Sequence, residues 1–236
     1  MSAPEPATDQ APDGASPPSS SAGEIEVLAL VAAGELASFA RLADDAAHAP
    51  ELRMRITLSR LAAGELAPLG AVEERARALG ADPEALDDSI WSFRELLAEF
   101  DARLVPRDWW ERLVKTYIGY GIVLDLQREL AAGLTGRSQE VAAAALADKG
   151  WGDVVVAALT PVIAAEPQLA ARLALWGRRV VGEGLGITAR LLAVHPEVAA
   201  LAAGAAGPWT PEHVTALTGR LTSEHARRMK RLDLTA

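Results

Sequence analysis

Three Gly-Glu pairs lie in apolar surroundings along this 236-residue chain. The heptapeptide Val31-Ala32-Ala33-Gly34-Glu35-Leu36-Ala37 returns as Leu61-Ala62-Ala63-Gly64-Glu65-Leu66-Ala67, and Gly182-Glu183 lies in a similar apolar run. An ionised carboxylate inside an apolar core costs several kcal/mol unless a partner or a metal ion compensates its charge. We therefore predict that these carboxylates converge on a common interior site.

The carboxylates are predicted to lie on helices. Ala and Leu dominate the composition, aromatic residues make up only 5% of the chain, and both biases favour helix formation. Apolar residues recur at helical spacing, and no segment of convincing length has the two-residue period of a strand. The sequence therefore predicts an all-α fold, in which four long helices carry Glu35, Glu65, Asp125 and Glu183.

Proline, glycine and capping residues predict where the helices begin and end. The first helix should run from about Glu24 to His48 and the second from about Glu51 to Leu79. Pro68 should kink or break the second helix next to Glu65, because an interior proline removes a backbone hydrogen bond. Further helices are predicted over about 83–100, 107–132, 138–149, 153–165, 167–194 and from Pro211 onward.

Composition divides the chain into three parts. Residues 1–22 are rich in Pro, Ser, Ala and Asp and lack the pattern of a secretory signal, which predicts a disordered N-terminal tail. Residues 23–203 are predicted to form the helical bundle. Residues 204–236 are predicted to form a linker and a C-terminal amphipathic helix.

Charge and composition limit the classes of partner. The formal net charge is -9, so nucleic acid would have to bind through a local basic patch such as Arg220 to Arg231. Such a cluster is more often a solvated helix end. The chain has no cysteine, which excludes disulfides and thiolate metal sites. No apolar run is long enough to span a bilayer, so we expect no membrane partner and a cytoplasmic location.

The sequence resembles the ferritin-like superfamily and, within it, the actinobacterial proteins similar to tRNA 2-methylthio-N6-isopentenyladenosine hydroxylase, over about residues 24–192. The segments that carry the resemblance are Gly34-Glu35-Leu36, Ala63-Gly64-Glu65, Lys115-Thr116-Tyr117-Ile118-Gly119 with Asp125 following, and Leu175-Trp176-Gly177-Arg178-Arg179-Val180-Val181-Gly182-Glu183. The resemblance implies a ferritin-like four-helix bundle with additional short helices. It also implies a diiron oxygenase that hydroxylates tRNA, with Glu35, Glu65, Asp125 and Glu183 as the metal ligands.

The sequence departs from that family where histidine ligands would be expected. The sequence has Pro68 three residues after Glu65 and Gly186 three residues after Glu183. Asp45-Ala46-Ala47-His48 has the spacing of a ligand pair, but it lies at a helix end. The resemblance makes Tyr120 a candidate polar replacement. A site without imidazole would be rich in oxygen and would favour Mg, Ca or Mn over iron. The cofactor is therefore expected to be iron, another divalent metal or none, and the enzymatic activity is left open.

A metal-free bundle is a complete alternative interpretation. Each glutamate would then be paired with a cationic side chain, and the arginines near enough along the helices are Arg41, Arg60, Arg179 and Arg190. In this case the protein would be a non-catalytic helical scaffold or a protein-interaction module. Metal content separates the two hypotheses.

Overall fold

The computed structural model describes residues 19–203 and 209–236, and in these ranges the protein is all-α, without a strand. The elements, in chain order, are α1 (Ser19–His48), α2 (Leu52–Glu65), α3 (Leu69–Ala78), α4 (Pro83–Arg103), α5 (Trp109–Val114), a π-helical segment (Lys115–Tyr120), α6 (Gly121–Ala131), α7 (Gly136–Ala145), α8 (Trp151–Ala165), α9 (Pro167–Val194), α10 (Pro196–Ala203) and α11 (Pro211–Arg231). The prediction of an all-α fold with additional short helices is confirmed.

The breaks between helices follow the local chemistry. Pro68 divides the predicted second helix, so that α2 ends at Glu65 and α3 begins at Leu69. Asp82 caps α4, because its side chain accepts hydrogen bonds from the backbone N–H groups of Glu84 (3.0 Å) and Ala85 (3.1 Å). Both boundaries agree with the predictions.

The predicted fourth helix is continuous but is not α-helical throughout. Between α5 and α6, Lys115–Tyr120 form a π-helical segment whose six residues are all buried. A π-helical turn holds more residues than an α-helical turn, and such segments occur frequently at functional sites. This π-helical segment was not predicted from the sequence.

α1 lies at the centre of the bundle. Its residues 27–33 are at most 1% exposed, although seven consecutive residues span all sides of a helix. The helix packs against α2, α3, α4, α6, α7 and α10. A helical stretch that is apolar on all sides belongs inside a core, so residues 27–33 place the first half of α1 there.

The outer parts of the chain complete this core. α11 packs against α6 and α9 and buries Leu217, Leu221 and Met229. α1 begins at Ser19, before the predicted start of the bundle at residue 23. Residues 1–18 of the predicted tail and residues 204–208 of the predicted linker lie outside the described residues. Within the described ranges, no helix is long and apolar enough to cross a membrane.

Candidate functional site

Two of the four predicted carboxylates meet at one cation. Glu35 in the middle of α1 and Glu65 at the end of α2 are both buried. Lys149, in the connection between α7 and α8, donates hydrogen bonds from its Nζ to Glu35 Oε2 (2.6 Å) and to Glu65 Oε2 (3.1 Å). The break at Pro68 makes Glu65 the last residue of α2. The repeated Gly-Glu motif thus forms a carboxylate pair joined by an ammonium group.

The ammonium group does not fully compensate the two carboxylates. Burial raises the pKa of Glu35 from 4.5 to about 7, although the hydrogen bond and the charge of Lys149 act in the opposite direction. Burial also raises the pKa of Glu65, again against the charge of Lys149. Glu65 Oε1 is buried and has no hydrogen-bond partner among the described residues. This site therefore holds two acids and one cation, and one acceptor is unsatisfied.

The space beside the pair is small. The cavity that Glu35, Glu65, Lys149 and Tyr120 help to line has a volume of about 20 Å³, which is room for about one water molecule. Gln127 fills the space beside Gly34, since a Cβ atom on Gly34 would lie 2.0 Å from its Nε2. The glycine before Glu35 thus makes room for a core side chain. Gly64 differs, because a Cβ there would meet nothing within 4 Å.

The third predicted carboxylate, Asp125 on α6, has its own cation. Arg228 on α11 donates from Nη1 to Oδ2 (2.6 Å) and from Nη2 to Oδ1 (2.7 Å), so both carboxylate oxygens are satisfied. Gly121 makes room for this arginine, since a Cβ there would lie 2.4 Å from its Nε. A bidentate arginine–carboxylate pair is among the strongest side-chain interactions.

The fourth predicted carboxylate, Glu183 on α9, is not part of the interior. Its side chain is 31% exposed, and Arg103 at the end of α4 donates to its Oε2 at 3.4 Å. The structure therefore brings Glu35 and Glu65 together and places Asp125 and Glu183 in separate ion pairs. The prediction that all four converge needs this correction, because Gly182-Glu183 also lies in an apolar run but faces the edge of the bundle.

The arginines proposed as partners of the glutamates have other contacts. Arg41 binds Asp101, Arg190 binds Glu99, and Arg179 donates to the carbonyl oxygen of Arg103 at 3.0 Å. Arg60 is exposed. Lys149, the true partner, was missed, because it is 114 residues from Glu35 and 84 from Glu65 and lies outside the helices. A Lys within an otherwise small and acidic connection, Ala147-Asp148-Lys149-Gly150, was the available signal.

A second buried polar network, which was not predicted from the sequence, lies at the π-helical segment. Lys115 is 2% exposed and its Nζ lies 2.8 Å from Asp101 Oδ1, while the hydroxyl of Tyr120 donates to Asp101 Oδ2 at 3.2 Å. Thr116 donates to Asp45, which is fully buried, at 2.5 Å. Burial raises the pKa of Asp45 and lowers that of Lys115. The segment thus ties α4 and α1 together through hydrogen-bonded charges.

The basic C-terminal helix is largely neutralised. Within the predicted patch from Arg220 to Arg231, every arginine contacts a carboxylate. The pairs are Arg220–Glu129, Arg227–Glu224, Arg228–Asp125 and Arg231–Asp153. Guanidinium groups held in this way are less available to the phosphates of a nucleic acid.

Comparison with known proteins identifies the family. Residues 19–205 match the family described as "Ferritin-like domain, actinomycetes", and because this match covers most of the chain, the protein belongs to that family. No curated protein matches the sequence. The predicted superfamily is therefore confirmed, and the narrower resemblance to tRNA hydroxylases stays a prediction.

A ferritin-like fold raises the question of whether these residues fit a pair of metal ions. A diiron site in such a bundle uses a carboxylate from each of four helices and two histidines. Here a lysine bridges two of the carboxylates, an arginine holds the third at both oxygens, and the fourth is at the edge. In the part of the chain that the structure describes, none of the four belongs to a group of three His, Asp or Glu side chains whose ligand atoms all lie within 4.8 Å. The residues do not fit a diiron centre.

Proposed function

We propose that this protein is a non-catalytic member of the ferritin-like family whose bundle core holds no metal, because the core carboxylates are balanced by the protein's own cations. The observation that carries the proposal is the position of Lys149 Nζ, 2.6 Å from Glu35 and 3.1 Å from Glu65. An ammonium group there supplies the positive charge that a metal ion would otherwise supply. The protein then works as a helical scaffold.

The hydroxylase hypothesis requires the same residues to rearrange. To bind two metal ions, Asp125 would have to release Arg228, and Glu183 would have to turn inward from Arg103. Each change breaks an ion pair, and the first leaves a guanidinium group that is mostly buried without its partner. Oxygen chemistry on tRNA would also need free cations for the RNA, whereas the arginines of α11 contact carboxylates. These requirements favour the scaffold.

Metal content tests the proposal. Wild-type protein and the double variant Glu35→Gln/Glu65→Gln are purified from cells grown with added iron, and metal per chain is measured by mass spectrometry. We expect the two proteins to carry the same amount of iron, because the core does not bind it. About two iron ions per chain in the wild type, lost in the double variant, would show a diiron centre and contradict the proposal.

Removal of the lysine gives a second test. Lys149→Met leaves two buried carboxylates without a cation, so we expect a lower melting temperature that rises again when Mn²⁺ is added. Oxygen-only ligands suit such a hard ion, and a ligand that binds the folded state stabilises it. The matched control is Arg137→Met, which removes a surface cation that is 69% exposed. A melting temperature of Lys149→Met equal to that of the wild type would contradict the role given to Lys149.

A further inference from the structure

A different group of ligand-type side chains lies where α9 joins α10. His195 follows the last residue of α9, Glu197 is in the first turn of α10, and Glu26 comes from α1. One ligand atom from each of the three lies within 4.8 Å of the other two. Glu26 precedes Glu35 by nine residues, which is about 13 Å along the helix axis, so this group is separate from the core pair.

The two carboxylates both lie close to one imidazole nitrogen of His195. His195 Nδ1 lies 3.3 Å from Glu197 Oε1 and 3.7 Å from Glu26 Oε2. The His195 side chain is only 10% exposed. Glu26 Oε2 is buried and has no hydrogen-bond partner among the described residues. An N–H group at Nδ1 donates a hydrogen bond to only one of the two carboxylates, whereas a metal ion between the three atoms binds all of them.

α4 holds two of the three side chains in position. Ser89 donates from Oγ to Glu26 Oε1 at 2.7 Å, which leaves the other oxygen of Glu26 directed to the group. The Oγ of Ser92 lies 3.2 Å from His195 Nε2, and Phe93 stacks on the imidazole with ring centroids 4.0 Å apart. A hydrogen bond at Nε2 is the usual support of a histidine that binds metal through its other nitrogen.

We propose that Glu26, His195 and Glu197 bind one divalent transition-metal ion, for which Zn²⁺ is the best match. One imidazole and two carboxylates are ligands that Zn²⁺ accepts, and three protein ligands leave a position for water. His195 adapts the site to a softer ion than an oxygen-only site would take. The bound ion links α1 to the connection between α9 and α10, where Pro196 begins a new helix.

Zinc titration tests this site. Wild-type protein is treated with a chelator, dialysed and titrated with ZnCl₂ by calorimetry, and Co²⁺ absorption reports the ligand environment. We expect one Zn²⁺ per chain at this site. Glu197→Gln should weaken binding by at least about tenfold, His195→Gln should abolish the Co²⁺ spectrum, and Ser92→Ala should weaken binding by about tenfold through loss of the support at Nε2.

Matched controls separate this site from other binding. Glu140→Gln and His48→Gln change an exposed glutamate and an exposed histidine elsewhere, and both should bind Zn²⁺ as the wild type does. Glu35→Gln/Glu65→Gln should also keep the site, so this proposal and the metal-free core fail independently. The proposal is overturned if the wild type binds no Zn²⁺. It is also overturned if Glu197→Gln binds Zn²⁺ as tightly as the wild type does. Glu197 is 36% exposed, and circular dichroism checks that this variant is folded.

Discussion

Two buried acidic sites of this bundle balance their charge differently. At the first, Glu35 and Glu65 share the single ammonium group of Lys149, and Glu65 Oε1 remains without a hydrogen bond among the described residues. At the second, Asp125 receives two hydrogen bonds from Arg228, and within the described ranges neither side chain makes another ion pair. The first site is under-compensated, because it has two carboxylates for one cation, and its charge depends on protonation of Glu35. The second site has one carboxylate for one cation. Ferritin-like helices can thus retain interior carboxylates for two different physical reasons.

The largest effect should come from breaking the balanced pair. Arg228→Met leaves Asp125 buried without a cation, and we expect a loss of about 3–5 kcal/mol in the free energy of unfolding, measured with urea. Arg227→Met is the matched control, because Arg227 is 71% exposed and, among the residues that the structure describes, pairs only with Glu224 on the same helix. The control should change stability by less than about 0.5 kcal/mol. Equal losses in the free energy of unfolding would show that the buried Arg228–Asp125 pair contributes no more to stability than an exposed pair.

The under-compensated site should show a pH dependence. The pKa of Glu35 is about 7 in the folded protein and 4.5 ordinarily, so the folded state binds this proton more tightly. The resulting stability is fully present below pH 4.5 and is lost as the pH rises through about 7. Relative to Glu35→Gln, the wild type should lose about 2 kcal/mol between these values, with allowance for solvent screening.

Denaturant unfolding of both proteins at several pH values measures this difference. The control is Glu140→Gln, which replaces an exposed glutamate and should follow the wild type at every pH. A constant difference between the wild type and Glu35→Gln from pH 4.5 to 8 would remove the distinction between the two acidic sites.

The smallest effect concerns the glycines of the repeated heptapeptide. Gly34→Ala displaces the Gln127 amide, which donates to the carbonyl oxygen of Leu30 at 2.8 Å, and should cost about 1–2 kcal/mol after the gain in helix propensity. Gly64→Ala meets open space and should stabilise the protein by up to about 1 kcal/mol. Thermal unfolding checks both variants. The same sign for both would mean that the two copies of the motif have the same environment.

Much of the fold could be predicted from local signals. Pro68 and Asp82 act on the backbone within a few residues, so the end of α2 and the start of α4 follow from the sequence. The π-helical segment could not be predicted in this way. Its residues, Lys115–Tyr120, are of types that α-helices also contain, and only the packing around them determines which carbonyl group each N–H binds.

The candidate site could be predicted only in part. Burial of Glu35, Glu65 and Asp125 follows from the apolar residues around them. Their partners do not, because helical periodicity relates residues three or four positions apart, whereas Lys149 and Arg228 come from distant segments. Glu183 shows the limit of the motif itself, since the rotation of α9 against its neighbours decides which side of a helix faces inward.

The π-helical segment has a consequence for comparing this chain with its relatives. One extra residue within a helix rotates everything that follows by about 100° around the axis. Asp125 comes after the segment, whereas the characteristic Lys115-Thr116-Tyr117 lies inside it. In a relative whose corresponding helix is α-helical throughout, an alignment without a gap pairs Asp125 with a residue on a different face of that helix. For a relative whose helix lacks such a segment, positions should therefore be compared across this point only after a one-residue offset.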